Sequence, residues 1–355
     1  MMTSILLAGT WDSRPNTVGT LYRSEDGGGF VPAEGIPLNT GVQSITPHPA
    51  RPGTLYAATH HGLFRSVDNG LSFAKLAVPT QPGEHFWSLA IHPDNPDTML
   101  AGCGPIGVYK TIDGGESWRR VGSREAMNER LDMSNGAFFK HSRIMSLAYD
   151  PSDPTKIYGA VETSGFIVSD DGGETWEDRS DGLMRLVDED PSLRSKINVA
   201  DEYEGILDAH AVRLSQDRPG VVFYACRMGL FSTADAGRSW RNHDIRRFAD
   251  FSYTRDMRIA ANDPPTMYLA LSIASRSDSG ALYRSDDLGE SLRRADMPVT
   301  ATSTIMGMGA SVTSSDKVVY VTRGGQVHWS EDGAASWSAL QLPADAGDAY
   351  CAAII

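Results

Sequence analysis

The sequence predicts an all-β fold, a seven-bladed β-propeller of four-stranded blades in one domain over residues 1–355, on three observations. One turn pattern, Ser/Thr-x-Asp-x-Gly-x-x-aromatic, recurs around Asp26, Asp68, Asp113, Asp171, Asp235, Asp287 and Asp332. Successive aspartates stand 42 to 64 residues apart with a mean of 51, a period that marks an array of supersecondary units. Each period also repeats four short, β-rich runs bounded by turn residues, the content of one propeller blade.

The runs are clearest in the second period: Val42–Thr46, Thr54–Thr59, Gly62–Ser66 and Ser72–Leu76. The run Ile5–Gly9 matches a second strand and Tyr350–Ile354 a first strand. The two therefore complete one shared blade, which leaves no open sheet edge. Two connections are far longer than the rest, at about 119–142 and 177–209. The second holds enough apolar residues to dock as a lid or short helix, and long loops in compact folds are commonly functional.

The turn has a physical reading. Its aspartate accepts backbone N–H groups as Asx turns do, its glycine supplies a positive φ, and its aromatic packs between sheets. Three copies depart: the first is one residue short before Phe30, the sixth has Leu292 for the aromatic, and the seventh has Ala334 for glycine. The pattern resembles the Asp-box, or bacterial neuraminidase repeat, over nearly the whole chain. That resemblance implies a structural turn on the rim away from the active face. It also brings in four groups of relatives: sialidases, xyloglucanases, the sortilin ectodomain and photosystem assembly factors. The chain lacks the Arg-Ile-Pro that introduces a sialidase's arginine triad. It has one propeller where xyloglucanases build a glucan cleft between two, although Pro-x-x-Pro recurs at Pro93–Pro96 and Pro151–Pro154 as theirs does. Sialidase and polysaccharide-cleaving activity are therefore not expected.

A net charge of −13 and pI near 5.1 exclude a nucleic-acid surface, which needs a basic stripe. No run reaches the roughly 18 apolar residues of a membrane span. The start lacks a basic n-region, so a cytoplasmic location is expected. Cys103, Cys226 and Cys351 have no metal-binding spacing and suit a reducing compartment.

Aligning the inner strands places Gln43, His85, Trp87, Arg143, Asp208, His210, Arg255, Arg258 and Tyr350 at the expected channel mouth, with His60, His61, Glu162, Arg227 and Arg323 from the next loops. Arginine suits bidentate grip on anions. Arg143, Arg227, Arg255 and Arg323, with His61 and His85, are thus the expected ligand-binding set. The alternative is that each arginine neutralises a neighbour such as Asp208, Asp256 or Glu162. Glu162, Asp208 and His210 are the expected proton-handling groups. No cofactor is required. His60, His61, His85 and His210 offer imidazoles for a metal, yet His60 and His61 point to opposite sides of an extended strand, and no metal ligand is assigned.

The expected function is binding of a small anionic or polyhydroxylated molecule, with hydrolysis or elimination. The alternative is a non-catalytic protein-interaction or assembly module whose long loops carry the interface.

Overall fold

The computed structural model describes residues 4–12, 14–122, 142–195, 202–260, 265–312 and 314–355. Its strands form seven four-stranded sheets, each in chain order from inner to outer strand except the first. The fold is a seven-bladed β-propeller, and the first blade is closed by the two ends of the chain. Its strands are Asp348–Ile354, Ile5–Trp11, Leu21–Glu25 and Val31–Pro32. Antiparallel pairing runs from Leu6 opposite Ile354 to Trp11 opposite Asp348.

The chain divides into two compact units, one of Met1–Ala77 with Arg258–Ile355 and one of Val78–Met257. The first holds blades one, two and seven and most of blade six. Blade two has inner strand Val42–Pro47, and blade seven has Ile305–Ala310. Apolar side chains fill the space between adjacent sheets: Leu7, Val42, Phe64 and Phe73 between blades one and two, and Leu6, Tyr22, Val319 and Val327 between seven and one.

The second unit holds blades three, four and five, with inner strands His85–Ile91, Arg143–Tyr149 and Ala209–Leu214. The boundary between units falls within Tyr253–Ala260, the inner strand of blade six. Leu100, Val108, Ile144, Ile167 and Trp176 pack blade three on four, and Tyr158, Phe166, Tyr224 and Trp240 pack four on five. Most of the 119–142 connection lies outside the described residues. In the 177–209 connection a helix, Asp181–Glu189, buries Leu183 and Val187 in the core between blades four and five. A second short helix, Glu204–Leu207, leads directly into Asp208.

The recurrent turn is a polar knot. In the third copy Asp113 accepts the Ser117 N–H at 3.0 Å and hydroxyls from Thr111 and Ser117 at 2.7 and 2.5 Å. Thr111 Oγ1 in turn accepts the buried Gly115 N–H at 3.1 Å. The fourth to seventh copies, and the second, repeat this set. The knot needs two consecutive left-handed residues, not one. Asn69, Gly114, Gly172, Ala236, Leu288 and Gly333 fill the first position, and glycines, or Ala334 at φ 69°, the second. The first copy, one residue short, is built differently: Asp26 itself is left-handed and the Ser24 hydroxyl donates to the Gly28 carbonyl. The tryptophan Nε1 of the third, fourth and fifth copies donates back to the glycine carbonyl of its own turn. In the seventh copy, where glycine is Ala334, Trp337 donates instead to Ala295 at 2.7 Å.

Candidate functional site

In six blades the inner strand carries a bulge near its start, leaving one residue without an opposite partner: Gln43, Trp87, Met145, His210, Met306 and Tyr350. A bulge breaks the two-residue alternation and re-aims the side chain it contains. Four of the six are residues that simple alignment had placed at the mouth.

In the Val78–Met257 unit, the starts of the inner strands assemble a buried polar cluster. Arg143 and Glu162 are direct cross-strand partners and form an ion pair, Nε to Oε2, at 2.5 Å. The Arg143 guanidinium lies over the Trp87 ring, 4.3 Å from its centroid, a cation–π contact strengthened by desolvation. His85, opposite Gly104, begins the neighbouring inner strand and is half-buried.

Asp208, only 3% exposed, is the centre of the second half of the cluster. It follows the Glu204–Leu207 helix, and its N–H donates to Glu204 O at 2.9 Å. Arg227 grips it through NH2 at 2.7 Å and Nε at 2.9 Å, and reaches Glu204 through NH1 at 2.9 Å. Ser195 Oγ donates to the same Glu204 carboxylate at 3.0 Å. His210 Nδ1 donates to the Thr254 carbonyl at 2.8 Å, which turns Nε2 toward Asp208 Oδ2 at 3.5 Å. Burial alone pushes the Asp208 carboxyl up, but His210, Arg227 and Arg255 together outweigh it and hold the group down at about 2.

Tyr253 completes the group. Its ring lies 4.9 Å from that of His210, and it is affected by the charges of Arg255, Asp208, Glu162 and Arg227 alike. Burial, the largest influence, pushes its phenol up to about 12, so it stays protonated at neutral pH. Sequence alignment missed Tyr253; its place two residues before Arg255 on one strand was the available signal. Three guanidinium groups, from Arg143, Arg227 and Arg255, meet three carboxylates, from Glu162, Asp208 and Glu204. Arg143 pairs with Glu162 and Arg227 with Asp208 and Glu204, the kind of neighbour pairing given above as the alternative to an anion-binding set.

The remaining expected residues belong to the other unit. Arg323 donates to Asp348 at 2.9 Å and to the Ser275 carbonyl at 2.9 Å, with its guanidinium 5.5 Å from the Tyr350 ring. His60 meets Gln43 Nε2 at 3.0 Å and the edge of Trp11, while exposed His61 meets Thr40 Oγ1 at 3.1 Å. Arg258 donates to the Met308 carbonyl at 2.8 Å. Back in the Val78–Met257 unit, Arg213, which alignment passed over, holds Ser146 Oγ at 2.7 Å and approaches Asp256 at 3.6 Å. Among the described residues no cluster of three or more His, Cys, Asp or Glu side chains is arranged to hold a metal ion.

Residues 167–178 match the BNR/Asp-box repeat family. Five further turns on other blades share the hydrogen bonds of this one, and the fold is a seven-bladed β-propeller. It is 24% identical over 217 residues to a probable oligoxyloglucan-reducing end-specific xyloglucanase of Neosartorya fischeri, covering 58% of this chain and 25% of that protein. A xyloglucanase of Hypocrea jecorina is 30% identical over 108 residues, covering 29% of this chain and 12% of that one. The chain thus spans at most about a quarter of the length of these relatives. Among solved structures, the GH74 xyloglucanase from Xanthomonas campestris superposes with a TM-score of 0.61 at 17% identity, covering 84% of this chain and 45% of that one. YCF48 from Cyanidioschyzon merolae superposes at 0.54 with 13% identity, covering 85% of each chain.

Proposed function

We propose that this propeller binds a small polyhydroxylated, sugar-like molecule at the Trp87–Arg143–Glu162–Asp208–His210–Tyr253 cluster, and acts on it by hydrolysis or elimination. The carrying observation is Asp208, a carboxylate 3% exposed and held ionised beside Arg227, Arg255 and His210. Buried charge of this kind costs desolvation, and such perturbed groups concentrate at functional sites. The xyloglucanase relatives favour a sugar as the ligand class.

The balance of three guanidinium groups and three carboxylates suits a neutral polyol when His210 is neutral. When His210 carries a proton the balance is positive and an acidic sugar is favoured. Asp208, held at about 2, is a carboxylate at neutral pH, so its part is to accept a proton or stabilise positive charge. Proton donation falls to His210 Nε2 when that ring carries a second proton, while Glu162, ion-paired to Arg143, can only accept. Arg143 and the Tyr253 hydroxyl supply donors to ligand oxygens.

The test is thermal unfolding against a panel of neutral oligosaccharides, acidic sugars, small carboxylates and phosphates, with wild type and Arg143→Lys. Arg143 is the better probe because Arg227 is locked between two carboxylates and its loss would destabilise the fold. A ligand at a hundredfold over its Kd adds about 2.7 kcal/mol. A sugar that stabilises wild type and not the variant supports the reading; a panel with no shift sinks it.

A second reading, a protein-interaction module, is favoured by one observation. A solved YCF48 bound to D1 peptide superposes with a TM-score of 0.51, covering 84% of this chain and 81% of that one, whereas the xyloglucanase structure is matched over less than half of its length. Peptide binding lost with Arg143→Lys, with no sugar response, would select it.

A further inference from the structure

The third strands of the blades share a pattern, and one blade breaks it. Counting back from the Ser/Thr of each turn, the residue two places earlier is Tyr22, Phe64, Tyr109, Ile167, Phe231, Tyr283 and, in blade seven, His328. An ionisable imidazole thus stands where the other six blades place an aromatic or aliphatic side chain.

The surroundings offer it little. His328 is 4% exposed, and its ring stacks on that of Tyr320, its cross-strand partner, with centroids 4.8 Å apart. Neither ring nitrogen has a hydrogen-bond partner, and neither does the Tyr320 hydroxyl. Buried polar atoms are nearly always paired, so three together, with no protein partner to hold an added proton, make this a poor place for charge. The charged groups facing it are Asp296, fully buried at the end of blade six, and Arg294, which donates to Asp296 at 2.7 Å and is itself partly exposed. Trp337, whose ring centroid lies 5.2 Å from that of Tyr320, is fixed by its bond to Ala295.

We propose that His328 is an acid-sensitive element at the junction of blades six and seven, neutral in the closed structure and protonated on acidification with loosening of the strands around it. Neutral imidazole is tolerated in this apolar setting; the imidazolium is penalised by burial, and Asp296 offsets only part of that. The direction agrees: burial lowers the His328 pKa below its ordinary value, against a smaller opposing pull from Asp296. A histidine lowered in the folded state contributes stability that is full above about pH 6.5 and is lost as pH falls toward its folded pKa.

The test compares wild type with His328→Phe, the residue of blades two and five, by thermal unfolding from pH 7.5 to 5.0. Wild type is expected to lose about 2–4 °C more than the variant over that range. Equal losses would overturn the proposal. Should His328→Phe fail to fold, hydrogen exchange on wild type decides: residues 318–330, corrected for intrinsic rate, should lose protection at pH 5.5 relative to the equivalent strands at 222–233. Unchanged relative protection would overturn it.

Discussion

His210 and Asp208 share an oxygen-to-nitrogen approach of 3.5 Å that is aimed by a third group, because the Thr254 carbonyl takes the Nδ1 proton at 2.8 Å. A carbonyl can only accept, so the orientation of the ring and the identity of the nitrogen facing Asp208 are fixed together. The pair is therefore built in, with Arg227 as its outer brace.

That brace has a measurable worth. Asp208→Ala leaves Arg227 with one carboxylate in a largely buried setting, and should cost about 3–5 kcal/mol. Asp208→Asn, which keeps shape and hydrogen bonding, should cost distinctly less. Urea unfolding of the two variants checks the order.

Acid should attack the turns and the cluster together. The Arg119 guanidinium holds Glu174 at about 2, the Ser336 hydroxyl holds Asp332 at about 2, and Asp208 sits at about 2. Unfolded carboxyls titrate near 3.9–4.3. Groups depressed in this way stabilise the fold above about pH 4 and lose that contribution as pH falls toward 2. The urea midpoint, followed from pH 5 to 2, should fall steeply below 4. The loss tied to His328 begins higher, below about pH 6.5.

Removing one hydroxyl should unpick a whole turn. Ser169 Oγ accepts the buried Gly173 N–H at 2.9 Å and donates to Asp171 at 2.8 Å. Ser169→Ala should cost about 1–3 kcal/mol by stranding that N–H. Ser24→Ala, in the shortened first copy, strands no such donor and should cost less. Denaturant midpoints compare them directly.

The second left-handed position is sterically the stricter of the two. At Gly173, φ 90°, an added Cβ would stand 2.9 Å from Leu100 Cδ1, whereas at Gly172, φ 73°, the nearest atom is Lys110 Nζ at 3.7 Å. Gly172→Ala should cost about 1–2 kcal/mol for its left-handed backbone, and Gly173→Ala a further 1–3 kcal/mol for overpacking. Calorimetry of both variants measures the difference.

The fold was legible because the turn is self-sufficient chemistry: Thr111, Asp113 and Gly115 satisfy each other locally, so their spacing survives in the sequence whatever packs around them. Even so, the first left-handed residue of each pair was hidden, since Asn69, Ala236 and Leu288 carry no glycine signal there. At the candidate site, Arg143, Glu162, Asp208, His210 and Arg227 were all picked out, yet their pairing was not. Which arginine takes which carboxylate depends on bulges at Met145 and His210, and a bulge is a backbone event without a residue signature here. The Glu204 contact depends on a helix inserted between Glu177 and Ala209, whose length reads as a loop until its apolar face finds the core.

The ladder that closes blade one also sets how the molecule would answer to force. Ile5 and Ile355 exchange N–H and carbonyl bonds at 3.3 and 3.0 Å, and the pairing continues inward from Leu6 opposite Ile354. Because the strands run antiparallel with these residues at the same end, tension between them opens rungs one after another, as a zipper, and never loads them in shear. A seam whose side chains are largely buried would thus part at low pulling force, making blade one the mechanical release point of the propeller.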